Sequence, residues 1–154
     1  MFWFDAALLG AFTLEEDIFL GGDGGLPKSI ISSFGIVEKD SKFYLTSKNN
    51  EISLIGGGVE PNETHTKTLK REFIEEAGLI ITDVIEFITI DCYWITKNNK
   101  HMNSLSNIYI VKVKDTIKEP TEKESKLIIL DKKDILNNLS LPYQKEAIKL
   151  YIKN

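Results

Sequence analysis

Glu72, Glu75 and Glu76 stand at i, i+3 and i+4 within Asn62 to Glu76, a segment whose apolar residues have helical spacing. At those steps the carboxylates share one helical face. Like charges placed this way repel by a few tenths of a kcal/mol per pair. A bare helix gains nothing from that, whereas a divalent cation turns the repulsion into coordination by hard oxygen ligands. Just upstream, Gly56-Gly57-Gly58 lets backbone come close to whatever the carboxylates hold. A carbonyl there would complete a metal shell. Carboxylate-held Mg²⁺ keeps waters and takes phosphate oxygens from a substrate. It neutralises phosphate charge and lowers the pKa of an attacking water. The chemistry indicated is cleavage of a phosphoanhydride, with Arg71 as the local basic group for the substrate's charge.

The rest of the composition narrows the setting. The chain has 154 residues, one domain's worth, enough to build a core without staples. Its formal net charge is −4, which argues against a polymeric nucleic acid held by its phosphates. A small anionic ligand remains compatible, because a cation can mediate it. Cys92 is the single cysteine, so no internal disulfide and no CxxC metal pair can form. His65 and His101 are the only histidines, so a metal here would take oxygen ligands, as Mg²⁺ or Mn²⁺ does.

The elements that must position the acidic face follow from pattern. Ser29 to Val37 and Phe43 to Ser47 read as strands around a turn at Lys39 to Lys42. Ile52 to Ile55 is a short apolar run into the glycines. Leu69, Phe73 and Ala77 form the stripe that docks the helix, and Gly78 is its C-terminal cap. Asp83 to Ile95 and Ser104 to Val113 are strand-like, separated by a polar loop from Thr96 to Asn103. Lys126 to Leu130 reads as the last strand, Asp131 to Leu136 as a short helix, and Pro142 to Ile152 as a helix with proline in its first turn. Strands and helices mix without strict alternation, which favours an α+β layered domain. Cys92 reads as a small core residue, and Tyr93 and Trp94 as packing aromatics. His65 and His101 read as incidental polar positions.

Met1 to Leu14 is apolar apart from Asp5, and Glu15-Glu16-Asp17 follows at once. The stretch is too short for a membrane span and wrongly charged for a signal peptide. This points to a cytoplasmic protein without a membrane partner. Gly21 to Gly25 reads as a flexible break. Residues 1–28 are therefore expected to be an extension packed on the domain or on a partner subunit, which leaves a homodimer open, and 29–154 the domain itself.

The segment from Gly57 to Leu79 resembles the Nudix box, Gly-x5-Glu-x7-Arg-Glu-U-x-Glu-Glu-x-Gly-U, where U is bulky and apolar. Gly57, Glu63, Arg71, Glu72, Phe73, Glu75, Glu76, Gly78 and Leu79 fill every specified position. A chance match in a chain this long is on the order of one in ten million from average residue usage. The resemblance to MutT-like Nudix hydrolases implies a mixed β-sheet sandwiched between helices. It implies Mg²⁺- or Mn²⁺-dependent hydrolysis of a nucleoside diphosphate linked to another moiety, a small-molecule substrate. It further implies metal ligation by Glu72, Glu75, Glu76 and the Gly56 carbonyl, with Arg71 and Glu63 bracing the loop. In the family an acidic residue before the last strand often serves as a further ligand or general base. Glu124 has the better spacing for this, Glu122 is the reserve, and Glu75 itself is the third option. One departure stands out: the family commonly has proline before the glycines, where this chain has Ile55. The turn is expected to be more mobile for lacking proline's fixed φ.

A Nudix-fold binding module or sensor without turnover is the competing function. Such a protein would be expected to lose a box carboxylate and to carry an output domain. This chain keeps every box carboxylate, and its first 28 residues show no helix-turn-helix pattern. The substrate itself is not written in the box: a nucleoside triphosphate, a nucleotide sugar, a dinucleoside polyphosphate and a damaged nucleotide all satisfy it.

Overall fold

The structure, a computed structural model, describes residues 2–4, 28–95 and 98–154. Residues 5–27, which carry most of the expected extension, lie outside it, as do Thr96, Lys97 and the Trp94 side chain. Strand β1 (Phe2–Phe4) runs parallel to β6 (Ile81–Ile95) at the edge of the sheet. Strand β2 (Lys28–Lys39) is twelve residues long and is the spine of the fold. It turns through Asp40 and Ser41, with φ of 52° and 63°, into β3 (Lys42–Lys48). Two left-handed residues in succession match the right-handed twist of a tight hairpin. Asn49 and Asn50 repeat the device with φ of 51° and 63° before β4 (Glu51–Ser53).

After β4 the chain changes partner. β5 (Ile55–Gly58) leaves β3 and pairs antiparallel with β2, setting Gly57 opposite Ser33 and Gly56 opposite Phe34. Helix α1 (His65–Glu72) follows. β6 and β7 (His101–Val113) then form a long antiparallel pair, and β7 lies parallel to β2. β8 (Ser125–Asp131) pairs antiparallel with β3, and α2 (Ile135–Asn138) and α3 (Pro142–Lys153) close the chain. The strand order is β1-β6-β7-β2-β3-β4, with β5 on β2 and β8 on β3.

The two faces of this mixed sheet carry separate cores. On one, Ile36, Phe43, Leu45, Leu54, Ile90 and Ile108 pack against Ile135, Leu139, Ala147 and Ile148 of the C-terminal helices. On the other, Val37, Ile55, Tyr109 and Val111 pack against Leu69, Phe73 and Ala77. Those last three are each fully buried, as their spacing predicts. Burying an aliphatic or aromatic side chain of this kind contributes roughly 1.5–3 kcal/mol. The result is the helix–sheet–helix sandwich expected from the sequence.

Four local expectations are corrected. The box helix starts three residues later than Asn62. Asn62 has φ of 66°, outside the helical region, and Thr64 is the cap, its hydroxyl accepting from the Lys67 amide. The helix also does not stay α: Phe73–Ala77 continues it as a π-helical turn. The polar loop after β6 ends at Lys100, because His101 to Asn103 already pair with β6. Finally, Asp131 belongs to β8, and the short helix begins at Ile135 rather than Asp131.

Candidate active site

The glycine turn and the box helix meet because glycine leaves room. An ideal Cβ on Gly57 would stand 2.5 Å from Glu72 Oε1, and one on Gly56 would stand 2.1 Å from the Ser33 carbonyl oxygen. A larger residue at Gly56 would push the turn off β2, and one at Gly57 would displace the Glu72 carboxylate. The Gly56 amide donates to Glu76 Oε1 at 3.0 Å, so Glu76 is seated on the turn itself. The helix start is pinned separately. The Ser33 hydroxyl and His65 Nδ1 are 2.5 Å apart, and the His65 ring lies 6.2 Å from that of Tyr109. His65 therefore holds α1 to β2, a structural task that its position in the sequence does not reveal.

Arg71 organises the acidic residues. Nε donates to Glu63 Oε2 at 2.7 Å and Nη2 to Glu63 Oε1 at 3.0 Å, a forked pair. Nη1 donates to Glu72 at 2.8 Å and to Glu75 at 3.3 Å, and Nη2 to the Gly58 carbonyl at 3.2 Å. One guanidinium thus ties the loop after the glycines to the helix. Its hydrogen bond to Glu63 is the main reason that carboxyl is lowered to about 2. Glu63 also accepts from the Glu60 amide and the Thr68 hydroxyl.

Glu72 and Glu76 are perturbed the other way. Burial raises Glu76 to about 8, with the Glu72 and Glu122 charges adding to it and the Gly56 amide opposing. Glu72 is raised chiefly by burial, against the pull of Arg71. Glu76 is 8% exposed and Glu75 sits at the rim with 40% of its side chain exposed. The π turn falls on this stretch, and such turns recur at functional sites.

The segment before β8 is stitched to the end of the box. The Glu122 amide donates to the Glu75 carbonyl at 2.8 Å, and the Lys118 amide to the Gly78 carbonyl at 2.9 Å. Gly78, at φ of 65°, is the left-handed cap, and a Cβ there would lie 1.8 Å from the Lys118 oxygen. Glu122 is brought to the carboxylate cluster in this way, and its side chain pairs with Lys48 of β3. Glu124 is exposed, and its charge acts on Lys48. The Ser125 amide returns to the Glu122 carbonyl in the turn that precedes β8. Lys48 and Thr46, whose hydroxyl donates to the Glu76 carbonyl at 3.4 Å, are neighbours that linear spacing does not reveal. Cys92 is buried in the sheet, and burial pushes its thiol up to about 11, far from thiolate chemistry.

Glu72 and Glu76 meet the glycine turn, with Glu75 at the rim and Glu122 tied to the Glu75 backbone. Among the described residues no group of His, Cys, Asp or Glu is already arranged to hold a metal ion. Arg71 donates to oxygens of Glu72 and Glu75. The donor set itself fits a hard cation, being all oxygen, partly buried and mutually repulsive. Among the described residues, no helix is long and apolar enough to cross a membrane.

A family model for the NUDIX domain matches residues 31–150. No curated protein matches the chain by sequence. Among solved structures, a NUDIX hydrolase from Nitrosomonas europaea superposes with a TM-score of 0.70 at 16% identity, covering 82% of this chain and 90% of that one. A MutT protein from Bacillus halodurans gives 0.67 at 18% identity, covering 78% and 80%. An ADP compounds hydrolase gives 0.62 at 16% identity, covering 82% and 73%. The fold, the complete box and the family match over most of the chain converge: this protein belongs to the NUDIX family of hydrolases.

Proposed function

We propose that the chain hydrolyses a phosphoanhydride bond in a nucleoside diphosphate linked to another moiety, with Mg²⁺ or Mn²⁺. The observation that carries this is Glu76: a carboxylate 8% exposed, seated on the Gly56 amide within the field of Glu72 and Glu122. Such a group is costly as an isolated anion and useful as a cation ligand. A bound divalent cation would supply phosphate charge neutralisation and a more acidic attacking water. Glu72, Glu75, Glu76 and the Gly56 carbonyl would hold it. Arg71 keeps the loop and helix in register through Glu63, and offers Nη1 to Glu72 and Glu75 until they are needed as ligands. Glu122, tied by its backbone to Glu75, takes the role of general base in this reading, in preference to Glu124. The domain proper is taken as 29–154, with 1–28 as an extension; the match over residues 31–150 supports that boundary. A relative described as acting on ADP compounds supports a nucleotide substrate.

The test is a panel of nucleoside triphosphates, nucleotide sugars and dinucleoside polyphosphates, with phosphate and pyrophosphate detection. Turnover of at least one, dependent on Mg²⁺ or Mn²⁺ and abolished by EDTA, is expected. Full turnover in excess EDTA would sink the metal-dependent reading.

A further inference from the structure

Residue Ile55 replaces the proline that would stiffen the chain before the glycines, yet the turn is anchored from an unexpected direction. Leu54 is the residue at which the chain passes from β4, paired with β3, to β5, paired with β2. It belongs to neither ladder, and it is 1% exposed. Its amide donates instead to Oε1 of Gln144, at 2.8 Å, in the first turn of α3. Gln144 is wholly buried, and its Nε2 faces the Tyr143 hydroxyl at 3.4 Å. A second clasp lies two residues earlier. The Ile52 amide donates to Ser140 Oγ, and the Ser140 amide to the Ile52 carbonyl, both at 2.9 Å. The chain from Ile52 to Leu54 is therefore held by the α2–α3 connection and the start of α3, across the sheet from the box helix.

From these contacts we infer that Gln144 is a positioning residue for the glycine turn. Gly56 lies two residues beyond the Leu54 anchor. On its other side it has no slack, because the Ser33 carbonyl stands where a Cβ would be. Its amide seats Glu76. The crossover at Leu54 thus sets where the Gly56 peptide lies, and with it the carbonyl and the carboxylate on either side. A buried side-chain acceptor does here what proline's fixed φ does elsewhere, by hydrogen bonding rather than by ring geometry. The assignment rests on the metal-site reading above for its functional consequence, though not for its structural one.

Two measurements on the full chain separate these. Amide hydrogen exchange at Ile55 to Gly57 in the metal-free protein reports positioning alone. Mn²⁺ affinity, read from the free-ion electron paramagnetic resonance signal, reports the consequence. Gln144→Leu removes the acceptor, and Gln144→Met serves if that variant does not fold. Gln144→Glu keeps an oxygen at the same reach, and Ile148→Val is a mild core change on the same helix. Acceptor loss should speed exchange at Gly56 and weaken Mn²⁺ binding roughly ten- to a hundredfold, the range for groups that orient metal ligands. Gln144→Glu should restore most of both, and Ile148→Val should change neither. If Gln144→Leu or Gln144→Met exchanges at Gly56 as the wild type does, the positioning role is wrong. If the wild type binds no Mn²⁺, the metal-site reading fails, and the exchange result still decides for or against Gln144.

Discussion

Replacing Glu76 by glutamine separates burial from ligation. In the unfolded chain this carboxyl loses its proton near its ordinary value of 4.5, whereas in the folded, metal-free protein burial holds it to about pH 8. Between those values the native state carries one more proton than the unfolded state. The contribution of this carboxyl to stability is therefore complete below about pH 4.5, declines at about 1.4 kcal/mol per pH unit above that, and is lost once pH has risen through 8. The whole interval amounts to roughly 3–5 kcal/mol, a large share of a small domain's total. Glutamine keeps an acceptor for the Gly56 amide and never ionises, while its new amino group costs about 1–3 kcal/mol if left unpaired. At pH 8.5 in EDTA, Glu76→Gln should gain about 2 kcal/mol over the wild type by the same reasoning. At pH 5 it should be equal or weaker. Urea unfolding at half-unit steps from pH 5 to 9 measures this, with chelator throughout. Turnover should fall in the variant although the fold gains stability. Parallel stability curves for the two proteins, or a variant weaker at pH 8.5, would refute the account of Glu76 as a strained buried carboxyl.

Two further outcomes follow from contacts around the box. A general base contributes about 10²–10⁴-fold, so Glu122→Gln should lose kcat on that scale at saturating Mg²⁺, while Glu124→Gln stays near wild type; the reverse ranking would return the base to Glu124. Gly78→Ala places a Cβ 1.8 Å from the Lys118 oxygen at a φ of 65°, so it should destabilise by more than about 1 kcal/mol and loosen the segment that carries Glu122. A thermal melt and kcat for that variant check both halves, and an unchanged melting temperature would show that the Lys118–Gly78 stitch does not matter.

Much of the fold was legible because its signals are local. The Leu69, Phe73 and Ala77 stripe has helical period, and all three side chains are fully buried. The strands announce themselves as β-branched runs, and their observed limits differ from the expected ones by at most three residues. The helix starts later than its pattern predicts, although Asn62 and Glu63 are compatible with a helix in isolation. The Arg71 fork on Glu63 and the Thr64 cap decide otherwise. The π turn over Phe73–Ala77 is invisible in periodicity, since one altered turn hardly shifts a short apolar pattern. Asp131 looked like a helix cap and is a strand end, because its partner is Lys42 in the β3–β8 ladder, 89 positions away.

The sequence by itself determined the carboxylate set. Residue type and spacing put Glu72, Glu75 and Glu76 on one helical segment beside a glycine-rich turn, because helical geometry is local and glycine is the residue that admits close approach, whereas the π turn decides how Glu75 and Glu76 face. What only the tertiary structure decided is everything that reaches the site from another element. Lys48 comes from β3, Glu122 from a loop stitched to the helix by backbone bonds, and Gln144 from a helix on the far face of the sheet. Their sequence separations from the box carry no period and no motif. They meet it only once the sheet order is set, because strand pairing, which depends on the whole hydrophobic pattern, fixes which distant residues share an end of the sheet.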